Sequence, residues 1–283
     1  MALTDSEFDY VRRLVYRESA IVLGPGKEYL VEARLTPLAR EANVRDVSAF
    51  VATLMRCPDK ATEARVVDAL TTNETSWFRD SAPFEVFRTT VLPDILLDRP
   101  VHQPVRIWSA ACSTGQEPYT LSMILGEQLA GTGRRAEILA TDLSDEALAR
   151  AKAGRYSQLE VNRGLPAAML VKNFRRVGTE WAVGEDVRSR VSFRKYNLTS
   201  PMPPSTGFDV VFLRNVLIYF DAETRRGVLR RIRAAMRPDG WLFLGAAETT
   251  IGIDDDWDRV VVGRTSVHRV RDPLAATAAV RRV

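Results

Sequence analysis

The feature that most constrains the fold is a change of pattern near residue 105. Before residue 100 no strand pattern occurs. After it, short apolar segments alternate with amphipathic ones, which is typical of an α/β fold with a parallel sheet. The carboxyl ends of such strands share one edge, where ligands bind. We predict strands at 105–109, 138–141, 208–213 and 241–245, and helices at 117–129, 145–153 and 222–236.

The first 72 residues are predicted to form an all-helical domain. Thr4 followed by Glu7 fits a capping box, and apolar residues then recur at helical spacing. A second helix follows the glycine-rich break at 24–26, with an apolar face of Leu30, Ala33, Leu35 and Leu38. Two shorter helices are expected near 47–55 and 61–70. Residues 73–104 then form a connecting linker.

The α/β domain is expected to cover residues 105–271, with an insertion at about 155–195. The insertion contains several glycines and short apolar pieces at 180–183 and 190–196, which predict a short helix and a small antiparallel β-subdomain. Segments 260–262 and 266–270 predict a terminal hairpin. Residues 272–283 are interpreted as a weakly structured tail.

Several classes of site are disfavoured by composition. The two cysteines, Cys57 and Cys112, lie far apart, which argues against a disulfide framework and a cysteine zinc site. The two histidines, His102 and His268, are equally isolated, so no metal is expected.

The charged N-terminus is unlike a signal peptide, and no apolar run reaches the ~20 residues of a membrane span. We therefore expect a cytoplasmic protein with no direct membrane insertion.

Basic residues are concentrated in one region. Residues 1–72 carry 10 basic and 11 acidic side chains, a net charge of −1, whereas residues 150–200 carry 11 basic and 4 acidic ones, a net charge of +7. Such an excess can attract an acidic partner. No nucleic-acid motif accompanies it, so nucleic acid is not expected. A solvated basic surface without a partner remains an equal alternative.

Two elements predict a nucleoside-binding edge. The loop after the first strand of the α/β domain, SAACSTGQEPY at 109–119, has small residues but only one glycine, Gly115. A phosphate-binding dinucleotide loop is therefore disfavoured, while S-adenosylmethionine, which has no phosphate, suits the loop better. Asp142 ends the second strand, where a carboxylate can accept hydrogen bonds from ribose hydroxyls. Alternatively, Asp142 caps the following helix.

The third strand ends in the polar segment RNVLIYFD, residues 214–221. Side chains at the carboxyl end of a buried strand lie at the ligand-binding edge. Arg214 and Asn215 are therefore candidate ligand-binding residues. Tyr219 is either a site residue or a core aromatic.

Together these motifs resemble the chemotaxis receptor glutamate methyltransferases, the CheR-type family. SAACSTGQEPY, ATDLS at 140–144 and FLRNVLIYFD at 212–221 occur in the family's order. TTNETSWFR at 71–79 is similar to the family's linker signature. The resemblance covers roughly residues 5–270. It implies a helical domain followed by a Rossmann-like, S-adenosylmethionine-dependent methyltransferase domain with a β-subdomain.

The resemblance also implies a set of site residues. Arg79 and Tyr219 match positions proposed to act at the reaction centre. Without the family, the segment 73–75 would be interpreted as a helix cap. The positions implied for the cofactor are Asn73, Thr75, Arg79, Glu117, Asp142, Asn197, Leu198, Arg214 and Asn215.

The substrate implied is a glutamate side chain in the cytoplasmic helical domain of a chemoreceptor, converted to its methyl ester, with S-adenosylhomocysteine as product. A γ-carboxylate has a pKa of about 4.3 and is already ionised at neutral pH, so no general base is required. The segment 175–193 has no GxG, which resembles family members that do not need a receptor tail peptide. The sequence does not require an oligomer, and we expect a monomer.

Two alternatives remain: a Rossmann-like methyltransferase acting on another protein or a small molecule, and a non-catalytic S-adenosylmethionine-sensing module. The helical domain and the linker signature favour a receptor-modifying enzyme over the first. The presence of Arg79, Arg214, Asn215 and Tyr219 argues against the second.

Overall fold

The computed structural model describes residues 3–263 and 265–271. Two compact units are present. The first contains the residues up to Thr72 together with the segment Tyr219–Thr224, and the second contains Asn73–Ile218 and the residues from Arg225 onward. The predicted tail at 272–283 lies outside the described residues.

The first unit is helical, as its sequence predicts. Its helices are α1 (Asp5–Ser19), α2 (Glu28–Glu41), α3 (Val47–Arg56) and α4 (Lys60–Leu70). The predicted capping box is confirmed: Thr4 Oγ1 accepts from the Glu7 amide at 3.3 Å, and the Thr4 amide donates to Glu7 Oε2 at 2.9 Å. Phe8, Val11, Leu14 and Val15 of α1 are buried.

Helix α2 buries a different face from the predicted one. Val31, Leu35 and Ala39 are its buried residues, while Ala33 is exposed. Residues four apart lie one above another on a helix, so these three form a single stripe. The other predicted residues, Leu30 and Leu38, flank that stripe and are half-buried.

The second unit begins with helical structure that was not predicted from its sequence. Residues 73–104 contain α5 (Ala82–Val86), a π-helical turn (Phe87–Val91) and α6 (Leu92–Asp98). Their apolar side chains belong to the core of the large sheet. Phe84 stacks on Phe212 with ring centroids 5.8 Å apart, and Phe212 stacks on Phe243 at 4.4 Å. The linker is therefore part of the α/β core.

A seven-stranded mixed sheet forms the centre of this unit. Five neighbouring strands are parallel, four of them at predicted positions, and the predicted terminal hairpin adds two antiparallel strands. In spatial order the strands are β6 (Val191–Lys195), β2 (Ala136–Asp142), β1 (Val105–Ala110), β7 (Phe208–Leu213), β8 (Met236–Leu244), β10 (Thr265–Val270) and β9 (Trp257–Val262). The crossover helices are α7 (Gln116–Gln128), α8 (Asp145–Ala153) and α12 (Ala222–Ala235).

The insertion forms a separate three-stranded antiparallel sheet. Its strands lie in the order β3 (Arg155–Ser157), β5 (Glu180–Val183) and β4 (Phe174–Val177). Three short helices accompany them, α9 (Gln158–Asn162), α10 (Ala167–Asn173) and α11 (Glu185–Arg188). Trp77 of the linker packs edge-on against Tyr156 and Phe174, with centroid distances of 4.9 and 5.2 Å.

The predicted extent of this subdomain, about 155–195, needs one correction. Strand β6, which the sequence analysis placed inside the insertion, pairs in parallel with β2 in the large sheet, from Ile138↔Val191 to Asp142↔Lys195. The cause is the position of β6 at the edge of that sheet. An edge strand that is partly exposed alternates in polarity like a hairpin strand, so the sequence pattern does not distinguish the two.

Among the described residues, no helix combines the length and apolar character needed to cross a membrane.

Candidate functional site

The carboxyl ends of four parallel strands meet in register. Ala110 of β1 pairs with Thr141 of β2 on one side and with Leu213 of β7 on the other, and Leu213 pairs with Leu244 of β8. Chain order reverses around β1, since β2 and β7 lie on opposite sides of it. Such a switch point is where open α/β sheets bind ligands. The segments that follow these strands therefore converge on one edge.

The loop after β1 has an unusual backbone. Ala111, Ser113 and Gly115 all have positive φ angles, of 61°, 51° and 95°. A Cβ atom on Gly115 would lie 2.9 Å from the Cβ of Ala151 and 3.0 Å from the hydroxyl of Tyr156. Only glycine therefore fits at that position. Left-handed backbone at non-glycine residues is uncommon and costs about 1–3 kcal/mol each, and it is concentrated at ligand-binding sites.

Asp142 at the end of β2 is buried and bonded to this loop. Its Oδ2 accepts from the Ser113 amide at 2.7 Å, and its Oδ1 accepts from the Ser144 amide at 2.9 Å. The alternative assignment of Asp142 as the cap of α8 is wrong, because the cap is Ser144, whose hydroxyl accepts from the Ala147 amide at 3.0 Å. The Asp142 carboxylate is therefore held by backbone amides on both sides, at the edge where β1 and β2 end.

The start of the linker is attached to the same place. The Ser113 hydroxyl donates to the Asn73 carbonyl at 2.7 Å, and the Asn73 side-chain amide contacts the Ser144 hydroxyl at 3.4 Å. Thr75 is half-buried two residues further on. The structure thus brings Asn73 to Asp142 through the two serines. Ser144 was predicted only as a helix cap, and Ser113 was not predicted as a site residue.

Asn197 and Leu198 follow β6, beside the end of β2. The Tyr196 amide donates to the Asp142 carbonyl at 2.9 Å, which continues the pairing of the two strands. Leu198 is buried, and Asn197 Oδ1 accepts from the amide and hydroxyl of Thr199 at 2.9 and 2.8 Å. Both residues therefore lie at the same sheet edge as Asp142.

A buried ion pair joins α7 to the end of β7. Arg214 Nη1 lies 3.2 Å from Glu117 Oε2, and the two side chains are only 2% and 12% exposed. Glu117 Oε1 also accepts from the Ser109 hydroxyl at 2.8 Å. Burial raises the pKa of Glu117 above its ordinary value of 4.5, and the charge of Arg214 is the strongest opposing influence.

Arg214 also holds the linker in place. Its Nη2 donates to the Arg79 carbonyl and to Asp80 Oδ2, both at 2.8 Å, and its guanidinium lies over the ring of Phe84 at 5.3 Å. Its Nε atom is buried and has no hydrogen-bond partner among the described residues. Buried donors are rarely left unpaired, so this atom is a candidate contact for a bound ligand.

The linker around Arg79 is conformationally strained. Phe78, Asp80 and Ser81 all have positive φ angles, of 48°, 64° and 35°. The Arg79 side chain donates to the Glu74 carbonyl at 2.9 Å, and its charge contributes to lowering the pKa of Glu117. Strain of this kind persists only where the surrounding contacts impose it, and here Arg214 supplies two of them.

Asn215 is left-handed, with φ of 58°, and its backbone is fixed by a residue that the sequence analysis missed. That residue is Glu248, in the turn after β8, whose Oε2 accepts from the Asn215 amide at 2.8 Å. The signal that could have identified Glu248 is its position: it follows a buried strand at the same edge as Asp142 and Arg214.

Tyr219 lies in the other unit. It ends a 3-10 turn at Leu217–Tyr219, and its carbonyl accepts from the Val22 amide at 2.9 Å. Two residues later, Asp221 accepts from the Tyr16 hydroxyl at 2.7 Å. The role assigned to Tyr219 from the sequence therefore stays a prediction.

The residues of the second unit fit S-adenosylmethionine. The first loop offers small side chains, with no arginine or lysine in 109–119 to bind a phosphate. Carboxylates at Asp142 and Glu117 suit ribose hydroxyls and an ammonium group, and the unpaired Arg214 Nε suits a carboxylate.

Comparison with known proteins adds a family assignment to this geometry. Residues 6–71 match the all-alpha domain of CheR methyltransferases, and residues 73–266 match the SAM binding domain of CheR methyltransferases. Chemotaxis protein methyltransferase 1 of Pseudomonas aeruginosa is 41% identical over 276 residues, which cover 96% of this chain and 100% of that protein. Chemotaxis protein methyltransferase Cher2 of Pseudomonas putida is 40% identical over 265 residues, covering 92% and 96%.

Proposed function

The chain belongs to the CheR methyltransferase family, and from that premise we propose that it transfers the methyl group of S-adenosylmethionine to glutamate side chains of chemoreceptors. The observation that carries this proposal is the convergence of Asp142, Glu117 and Arg214 at the switch point of the sheet. The linker is bonded to the segments that follow β1, β2 and β7. The relatives named above are chemotaxis protein methyltransferases, which supports the same substrate class.

We assign the cofactor contacts as follows. Asp142 holds the ribose hydroxyls, and Asn197 and Leu198 border the adenine. Glu117 faces the ammonium of the methionyl group, while the unpaired Nε of Arg214 donates to its carboxylate. Asn73, Thr75 and Asn215 complete the contacts from the linker and from the end of β7.

The bound cofactor supplies a methyl group on a positively charged sulfur, which is already strongly electrophilic. A glutamate carboxylate oxygen forms the new bond to the methyl carbon while the carbon–sulfur bond breaks, and the electron pair of that bond remains on sulfur. The products are a glutamate methyl ester and S-adenosylhomocysteine, and no proton is transferred. Because the acceptor is ionised at neutral pH, the protein needs only to bind and align the two groups.

Arg79 and Tyr219 are proposed to act on the acceptor. Arg79 would hold a carboxylate through its guanidinium, whose planar donors match that group. Tyr219 would orient the acceptor oxygen by hydrogen bonding. Arg79 must not neutralise the nucleophile completely, and its existing hydrogen bond to the Glu74 carbonyl leaves the guanidinium only partly engaged.

The proposed partner surface is the basic small sheet and its flanks. Arg155, Arg175 and Arg176 are exposed there and Arg188 is half-buried, which suits an acidic helical region of a receptor. Only two residues, Gly178 and Thr179, separate β4 from β5. This short turn supports a protein that acts without a receptor tail peptide. We further propose that it acts as a monomer in the cytoplasm.

The decisive experiment uses S-adenosylmethionine with a tritiated methyl group and a purified cytoplasmic receptor fragment. Label should enter the fragment and be released by mild base, as expected for a methyl ester. A receptor fragment with its acceptor glutamates changed to alanine is the matched control and should stay unlabelled. Equal labelling of both fragments would indicate another substrate, and cofactor binding without any transfer would indicate a sensing module.

A further inference from the structure

The carboxylate of Glu248 accepts hydrogen bonds from four backbone amides. Its Oε1 accepts from Val216 and Leu217 at 2.8 and 2.7 Å. Its Oε2 accepts from Asn215 and Gly245 at 2.8 and 2.6 Å. Three of the four donors are consecutive residues directly after Arg214. Successive amides arranged in this way form a concave site for an anion, and Glu248 fills it from within the protein.

The local geometry shows that this arrangement is tightly constrained. Asn215 has a φ of 58°, in the left-handed region that asparagine enters more readily than most residues other than glycine. A Cβ atom on Gly245 would lie 2.7 Å from Glu248 Oε2, 2.8 Å from Asn215 Nδ2 and 2.9 Å from the Asn215 amide. The turn after β8 therefore has room for Glu248 only because residue 245 is glycine.

We propose that Glu248 is a positioning residue for the cofactor site. It fixes the backbone of residues 215–217, and this backbone determines where Arg214 and Asn215 present their side chains. The inference rests on the proposed function only in taking those two residues as cofactor contacts. It assigns Glu248 no contact with the cofactor or with the reacting atoms.

Glu248→Gln tests this proposal at nearly constant side-chain volume. The amide keeps one acceptor oxygen, but its NH₂ group would face two backbone donors that it cannot accept from. Losing these hydrogen bonds to a charged group should weaken the binding of S-adenosylhomocysteine by about tenfold to a hundredfold. Calorimetry measures this affinity.

The matched control is Asp209→Asn. Asp209 is a buried carboxylate near the amino end of β7, where it accepts from the Arg106 amide at 2.9 Å and pairs with Arg99 at 2.8 Å. Losing its charge should lower thermal stability and leave S-adenosylhomocysteine affinity within about twofold, because the cofactor edge is at the other end of the strand. A purely structural role for Glu248 would give the same result as this control.

Gly245→Ala provides a second variant if Glu248→Gln does not fold. It displaces the Glu248 carboxylate and Asn215 without removing a charge, so it should also weaken S-adenosylhomocysteine binding. Normal affinity in a folded Glu248→Gln or Gly245→Ala protein would overturn the proposal. So would an equal loss in Asp209→Asn. Because the assay measures binding, a failure of methyl transfer to receptor glutamates in the wild type would refute the proposed function and not this inference.

Discussion

Arg214→Met tests how much the buried guanidinium contributes to the free energy of unfolding of the second unit. Methionine retains much of the side-chain length and apolar surface, but it cannot bond to Glu117, to Asp80 or to the Arg79 carbonyl. Arg214 and Glu117 are only 2% and 12% exposed, so water cannot easily replace the lost partner. Removing one member of a buried ion pair typically costs about 3–5 kcal/mol. We expect the free energy of unfolding of the second unit to fall by that amount at neutral pH.

The loss of stability caused by Arg214→Met should increase as the pH rises. Burial already raises the pKa of Glu117, and Arg214 is the strongest influence that opposes the rise. Without Arg214 this pKa rises further. A carboxyl whose folded-state pKa is raised binds more protons in the folded state, so stability falls as pH increases from its unfolded pKa to its folded pKa. The difference between variant and wild type should therefore be small near pH 5 and grow with pH, by about 1.4 kcal/mol for each additional pKa unit.

Urea unfolding followed by tryptophan fluorescence measures this quantity. All five tryptophans, at 77, 108, 181, 241 and 257, belong to the second unit, so the signal reports on the unit that contains the ion pair. The control is the double variant Glu117→Gln with Arg214→Met, which has neither charge. It should regain part of the lost stability and lose the pH dependence. A deficit below about 1 kcal/mol, or one that does not change between pH 5 and 8, would refute the reasoning.

Three further predictions follow from the site. The methyl-transfer rate at saturating substrates should be nearly constant from about pH 6 to 8, because the acceptor carboxylate is already ionised; a steep rise through pH 7 would require a general base. Asp142→Ala should weaken S-adenosylhomocysteine binding by at least about tenfold in calorimetry, and normal affinity would exclude Asp142 from the site. Gly164→Ala should lower the free energy of unfolding by more than about 1 kcal/mol in urea, because its φ is +95° and a Cβ would lie 2.1 Å from the Trp77 carbonyl oxygen; unchanged stability would contradict this.

Periodicity was sufficient to predict four of the five parallel strands and the helices between them. The segments at 105–109 and 208–213 were predicted as strands because apolar residues occupy alternate or consecutive positions there. Both segments are largely buried in the structure. The same reasoning could not assign β6, since an edge strand of the large sheet and a strand of a small hairpin have the same alternation. Pairing partners far apart in sequence decide that question, and no local pattern records them.

The linker illustrates a second limit. Residues 82–98 are helical although they include Pro83 and Pro93, and a π-helical turn interrupts them. Their apolar side chains fit the face of the large sheet, so tertiary packing determines the structure where local propensity is weak. The linker's candidate site residues could therefore be predicted from a motif, whereas its secondary structure could not.

The predicted strand ends identified residues that share one edge of the sheet. Asp142 ends β2, Arg214 and Asn215 follow β7, and these two strands lie on either side of β1. Ser113, Asp80 and Glu248 were missed because the hydrogen bonds of each depend on the backbone geometry of its turn. Residue type and spacing alone do not contain that information.

The allocation of Tyr219–Thr224 to the helical unit has an evolutionary and practical consequence. Two of its contacts, the Val22 amide on the Tyr219 carbonyl and the Tyr16 hydroxyl on Asp221, are made by residues encoded about two hundred positions earlier. The helical domain is therefore not an interchangeable module with its boundary at residue 72. A chimera that receives this domain from a relative must also receive a compatible 219–224 segment. Residues 16 and 221 should covary among relatives.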